Sequence, residues 1–401
     1  MNINKYSELI DFATCVSKNA DAFFETMPIL SKTPDSDICV YEYDINGIIW
    51  KVFDSDSFKL TVNSSNSYKC FFNKKTGYNL RFGTTLDDDP KYCELGPEIL
   101  DLEIITGSCV PIGGCNCKFC YKGNTNKRGK EMSIETFNDI ISRFPKNLSQ
   151  IAFGITSLHG NKDFKKIVER TRELGIIPNV TTSGADLDDE MCDVITKNMG
   201  ACAVSCYEAD PNLCYKSIKK IFDYGKEHYN KEMHVNMHIL FSKQTFDFVM
   251  KTLEDVKNGK VQGLKSVVLL RLKNVGNAKD MDPSIPIEMY ETVVKYCLEN
   301  NISFGFDSCG AKDVIKALEN LNRPELAVSC EPCESSLFSS YINVNGEYTS
   351  CSFVERRPDV IKPINVLNYK SFVDVWHLES VEVVRNATLN CKTSCPWYNL
   401  N

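Results

Sequence analysis

Residues 106–124 read TGSCVPIGGCNCKFCYKGN and place Cys109, Cys115, Cys117 and Cys120 within twelve positions. Thiols packed this densely suit a soft metal better than they suit an apolar core. Cys117-Lys-Phe-Cys120 is a C-x2-C loop of the kind that wraps one face of a metal centre. Upstream, Leu102-Glu-Ile-Ile reads as a short buried strand running into the loop. The cysteines alone leave two readings open, an iron–sulfur centre and a structural zinc site, because all-thiolate ligation serves both.

Beyond the loop, apolar runs alternate with helical periodicity. Strands are expected at Leu102–Ile105, Ile151–Gly154, Ile176–Thr182, Ala201–Ser205, His234–Phe241, Val267–Leu272 and Ile302–Phe306. Between them lie helices whose apolar residues recur at i, i+3, i+4 and i+7, as in Phe137, Ile140, Ile141 and Phe144 after a Ser133 cap. Such alternation means α/β architecture, a parallel sheet with helices outside it. Six β–α units are too few to close an eight-fold barrel, so a partial (β/α)6 barrel over residues 99–308 is expected. Its chemistry belongs at the carboxyl ends of the strands, where the cysteine loop falls.

Strand, cysteine loop with Phe119 before its last cysteine and Tyr121 after it, then Lys122-Gly-Asn resembles the signature of radical S-adenosylmethionine (SAM) enzymes. The resemblance implies a [4Fe–4S] cluster held by three cysteines, with the fourth iron open to SAM. Family spacing is C-x3-C-x2-C, which would put the first ligand at Gly113. The triad here is therefore Cys109, Cys117 and Cys120 in a C-x7-C-x2-C form, with Cys115 the alternative first ligand. The resemblance also implies SAM contacts from Phe119, Tyr121, Gly154, Ser183 and Ser205. The family's Gly-Gly-Glu turn after strand two is replaced by Gly154-Ile-Thr-Ser, so its glutamate is absent. His238, in strand five, reads as a structural histidine; Asp307, ending the last strand, reads as either a substrate contact or a turn cap.

Six further cysteines cluster at 309–395. Asn345-Gly346 marks a hairpin with a two-residue turn, and one helix over Phe372–Arg385 leads to Cys391-x3-Cys395. This pattern looks like the SPASM/twitch extension of radical SAM enzymes, over residues 309–401. It implies one auxiliary [4Fe–4S] cluster on Cys333, Cys351, Cys391 and Cys395, with Cys330 able to replace Cys333, and Cys309 and Cys330 left as spares. The remaining nine cysteines, among them Cys202 and Cys297, read as small buried hydrophobes. Residues 1–98 read as a small α+β cap: one helix at about 5–28, then five short strands.

The chain has 401 residues, 43% hydrophobic and 25% charged, with net charge −7. That balance argues against a broad basic surface for nucleic acid. No basic stretch followed by an apolar one opens the sequence, and no apolar run approaches membrane length. A cytoplasmic protein with its 19 cysteines reduced is the expectation. The implied activity is reductive cleavage of SAM and hydrogen-atom abstraction, fed by flavodoxin or ferredoxin. Modification of a ribosomally made peptide is the first expectation for the substrate. A small-molecule dehydrogenase (an oxidoreductase) is the second, and a zinc-stabilised binding module stands outside the enzyme class.

Overall fold

The computed structural model describes residues 38–85, 88–112, 117–391, 394–398 and 400. The helix expected at about 5–28, and Cys115, lie outside the described residues.

Residues 39–82 form an antiparallel meander: β1 (Cys39–Ile45), β2 (Ile48–Asp54), β3 (Phe58–Asn63), β4 (Lys69–Asn73) and β5 (Asn79–Phe82). Asn46 and Gly47 both have positive φ, 53° and 83°, the backbone of a two-residue hairpin turn. The sheet docks through Trp50, Tyr68 and Cys70, which share a buried cluster with Cys93, Leu337 and Phe338. At the same seam Arg81 bridges Glu98 and Glu334, each at 3.0 Å.

The second sheet carries the parallel strands β6 (Ile99–Glu103), β9 (Gln150–Gly154), β10 (Ile177–Thr182), β11 (Ala201–Cys206), β12 (His234–Phe241), β13 (Leu264–Arg271) and β14 (Phe304–Phe306), neighbours in that order. Helices α1 (Ile134–Ser142), α2 (Phe164–Glu173), α3 (Asp189–Asn198), α4 (Pro211–Tyr229), α5 (Phe246–Lys257) and α6 (Ile287–Glu299) connect them. The predicted periodicity is the packing: Phe137, Ile140 and Ile141 of α1 are buried, and Ser133 accepts a hydrogen bond from Thr136 N. A further helix, α7 (Ala311–Asn320), follows β14 and was missed, although Val314, Ala317 and Leu318 give it a buried face.

Two short strands, β7 (Ile105–Gly107) and β8 (Arg128–Glu131), pair antiparallel between β6 and α1. The expected strand Leu102–Ile105 therefore breaks at Ile104, and the cysteine loop is an excursion from a hairpin.

The C-terminal hairpin, β15 (Ser339–Ile342) and β16 (Glu347–Thr349), continues this sheet rather than forming its own. β15 runs parallel beside β6, with β16 and β17 (Ile364–Asn365) outside it, making ten strands. Its turn differs from expectation. Asn343 N bonds Glu347 O at 3.0 Å and only Gly346, at φ 78°, is left-handed, so three residues close the hairpin with a glycine bulge. The helix expected over Phe372–Arg385 is two, α8 (Phe372–Trp376) and α9 (Glu379–Leu389). The break lets Trp376 bury its ring and donate to Cys93 O at 2.8 Å, while Val381 and Val384 turn inward from the next helix.

Candidate active site

Strand alternation sorts the barrel residues into two faces. Leu100, Leu102, Ile151, Phe153, Cys202, Val204, Val235, Met237, Val267 and Leu269 are buried beneath the helices. The opposite face looks into the lumen and carries Asp101, Glu103, Ala152, Gly154, Thr181, Ala203, Ser205, Asn236 and His238. A complete barrel fills this space with branched apolar side chains. Here the wall is small and polar, and Asp101, Gly154, Thr181, Ser205, Asn236 and His238 all retain solvent access. This face of the sheet is polar and solvent-accessible rather than a packed apolar core.

The cysteine loop sits at the carboxyl end of β6 and closes through Cys109 N to Thr125 O at 3.0 Å. The structure brings Cys109, Cys117 and Cys120 together. Burial, and then the neighbouring thiols Cys120 and Cys117, push Cys109 up to about 11. Burial raises Cys117 as well, and thiols raised as Cys109 and Cys117 are favour a cationic centre that would compensate their thiolates, which fits a metal cluster. Among the described residues no three His, Cys, Asp or Glu side chains converge on one metal-ion position. A cubane asks for a different arrangement, a ring of thiols each reaching its own iron.

Tyr207, one residue past β11, was not singled out from the sequence. Its hydroxyl lies between Cys117 and Ser205, hydrogen-bonded to both, and its ring stacks on Phe119 at 6.2 Å. It ties the first cysteine of the C-x2-C to the end of strand four. Tyr121 packs on Phe353 at 4.4 Å. Lys122 bonds Tyr341 Oη at 2.6 Å and Glu103 at 2.8 Å, and also pairs with Glu355. The loop is thus joined to the C-terminal segment, and Glu103 is charge-compensated. Gly154 ends β9 in the open lumen, and Ser183 follows β10, accepting from Ala185 N at 3.4 Å.

From the other side, Asn277 N donates to Cys120 O at 2.9 Å and its amide to Cys117 O at 3.1 Å. Gly276, at φ +64°, permits this approach, because a Cβ there would stand 2.2 Å from Tyr121 O. Gly276→Ala is expected to displace the loop. Reconstituted iron should fall towards about half while the far-ultraviolet circular dichroism stays unchanged; full iron would show that the loop tolerates the shift.

The other sequence candidates divide. His238 is held near Thr181 Oγ1 at 3.5 Å, and burial lowers it to about 4, a neutral structural imidazole. Asp307 pairs with buried Lys273 and accepts from Arg271 N at 3.2 Å, so it is committed inside the protein.

At the C-terminal group, Cys333 interacts electrostatically with Cys395 and Cys391, and Cys351 with Cys333 and Cys309. Cys309, treated above as a spare, joins this set: it lies beside Cys333 and Cys395, and Lys273 reaches it. Its place straight after the last barrel strand was the available signal. Cys330 stands apart, with Glu331 its only charged influence. The closing turn is held by Lys312, which donates to Cys391 O, and by Arg357, which donates to Trp397 O at 2.9 Å.

Solved structures share this architecture. Streptococcus suis SuiB bound to its precursor peptide SuiA superposes with a TM-score of 0.56 at 14% identity, covering 72% of this chain and 67% of that one. SuiB bound to S-adenosylmethionine gives 0.53 at 14% identity, covering 75% and 69%. At that identity the likeness is one of fold. No protein-family model and no curated protein sequence matches the chain. The fold and site together define an α/β protein built on a large, mostly parallel sheet, with a cysteine-bearing loop at the carboxyl end of β6 beside a polar sheet face.

Proposed function

We propose that this chain is a radical SAM enzyme that modifies a ribosomally made peptide. The observation that carries the reading is the position of Cys109, Cys117 and Cys120 at the carboxyl end of the first barrel strand, above a hollow polar lumen. A structural relative crystallised with S-adenosylmethionine and with a precursor peptide supports the cofactor and the substrate class.

In this reading the three cysteines hold a [4Fe–4S] cluster, and Phe119, Tyr121, Gly154, Ser183 and Ser205 line the SAM site. Such a cluster, reduced by flavodoxin or ferredoxin, would supply the electron for reductive cleavage of SAM to methionine and a 5′-deoxyadenosyl radical, which would take a hydrogen atom from substrate. Tyr207 holds Cys117 by a hydrogen bond and keeps Phe119 in place. Gly276 and Asn277 set the height of the loop over the lumen. Cys333, Cys351, Cys391 and Cys395 hold an auxiliary cluster in a SPASM/twitch-like segment over residues 309–401, after a barrel over 99–308 and a cap over 1–98. Among the described residues no helix is long and apolar enough to cross a membrane, and we place the enzyme in the cytoplasm.

The test is metal content and SAM response. Anaerobically reconstituted protein should hold roughly eight iron and eight sulfide for two cubanes, against one or two zinc ions for a binding module. Saturating SAM should perturb the electron paramagnetic resonance spectrum of the reduced cluster even without the Gly-Gly-Glu glutamate. An unchanged spectrum would sink the SAM assignment.

A further inference from the structure

Asp101 sits in the middle of β6 with Leu100 and Leu102 buried on either side, so its carboxylate faces the lumen. It is open to solvent from within the barrel yet surrounded by protein, and burial alone pushes its carboxyl up to about 6. Among the described residues it has no hydrogen-bonding or ion-pairing partner. The other carboxylates nearby are taken: Glu103 and Glu355 share Lys122, and Asp307 holds Lys273. Tyr341, beside Asp101 in register, is engaged by Lys122. The side-chain oxygen of Asn236, across the lumen wall, is buried with no partner. Among the described residues the protein therefore supplies no donor to the Asp101 carboxylate.

A carboxylate kept in a protein-walled space without a counter-charge costs stability. A group that compensates it brings donors and positive charge, and no described residue does so. Tyr121 lies within electrostatic reach of Asp101, which sets the carboxylate beneath the cysteine loop. We propose that Asp101 is a substrate-recognition residue that receives a cationic side chain, an ammonium or a guanidinium, in the barrel lumen. Calling the occupant a substrate rests on the function proposed above; the vacant carboxylate in the lumen does not. The amino group of SAM offers the same chemistry, so the test separates the two.

n-Butylammonium, n-butylguanidinium and the neutral n-butyramide are titrated into the reconstituted full chain with SAM present, followed by ligand-observed NMR. SAM itself is titrated in parallel by calorimetry. Wild type should bind both cations at least about tenfold better than butyramide, the scale of a charged hydrogen bond. Asp101→Asn and Asp101→Ser should erase that preference with iron content and SAM affinity unchanged, and Asp101→Glu should restore it. Equal binding of all three probes by wild type would overturn the proposal. So would a loss of SAM affinity in Asp101→Asn with cation preference kept, which would give the carboxylate to the cofactor. The functional reading fails separately, if wild type takes up no iron–sulfur cluster whatever the cation probes do.

Discussion

On the proposed function, Cys109→Ala is expected to abolish 5′-deoxyadenosine formation from SAM, and Cys115→Ala to leave it intact. Cys109 is anchored through its backbone to Thr125 at the neck of the loop, and its thiol acts electrostatically on those of Cys117 and Cys120. Were the three thiols to hold a cluster as proposed, removing one of them would remove a third of its protein ligands and release it. The measurement is chromatographic detection of 5′-deoxyadenosine after dithionite reduction, beside iron content. Loss of at least a hundredfold is expected for Cys109→Ala, and iron near about half of wild type, because the auxiliary site keeps its own. Activity in Cys109→Ala and none in Cys115→Ala would move the first ligand to Cys115.

The second large effect belongs to the C-terminal group. In Cys351→Ala or Cys395→Ala, iron should again fall by about half, this time from the auxiliary site. SAM cleavage without substrate should continue, since the thiols proposed to serve it are Cys109, Cys117 and Cys120. Turnover of the true substrate should stop. Cys330→Ala is the control, because among the described residues Glu331 and none of the other thiols acts electrostatically on Cys330, and it should keep full iron and turnover. Variants at Cys351 and Cys395 that keep their iron and lose zinc would make the segment structural.

The sequence was most legible where its signals are local. Turn residues, caps and 3.6-residue periodicity act within one element, so the order of strands and helices from residue 99 to 306 was readable, as was the seam of apolar residues under each helix. The three-residue turn at Asn343–Gly346 was misread because a lone Asn-Gly pair does not say how many residues flank it in the loop. The helix break at Leu378 was misread because no proline or glycine marks it. Burial of Trp376 against Cys93, nearly three hundred residues away in the chain, imposes it.

By itself the sequence determined which thiols crowd together at 109–120 and at the carboxyl end of which strand they fall. It determined too that the elements alternate and therefore build a parallel sheet. Only the tertiary structure decided which distant residues meet that loop: Tyr207 on Cys117, Gly276 and Asn277 under the C-x2-C carbonyls, Lys122 between Glu103 and Glu355. It also drew Cys309 into the C-terminal thiols, set β15 beside β6, and left Asp101 without a described partner on the face opposite the helices. The physical reason is one of range. Spacing and periodicity are carried by neighbours along the chain, whereas a hydrogen bond or an uncompensated charge depends on which strands lie side by side and which face turns inward.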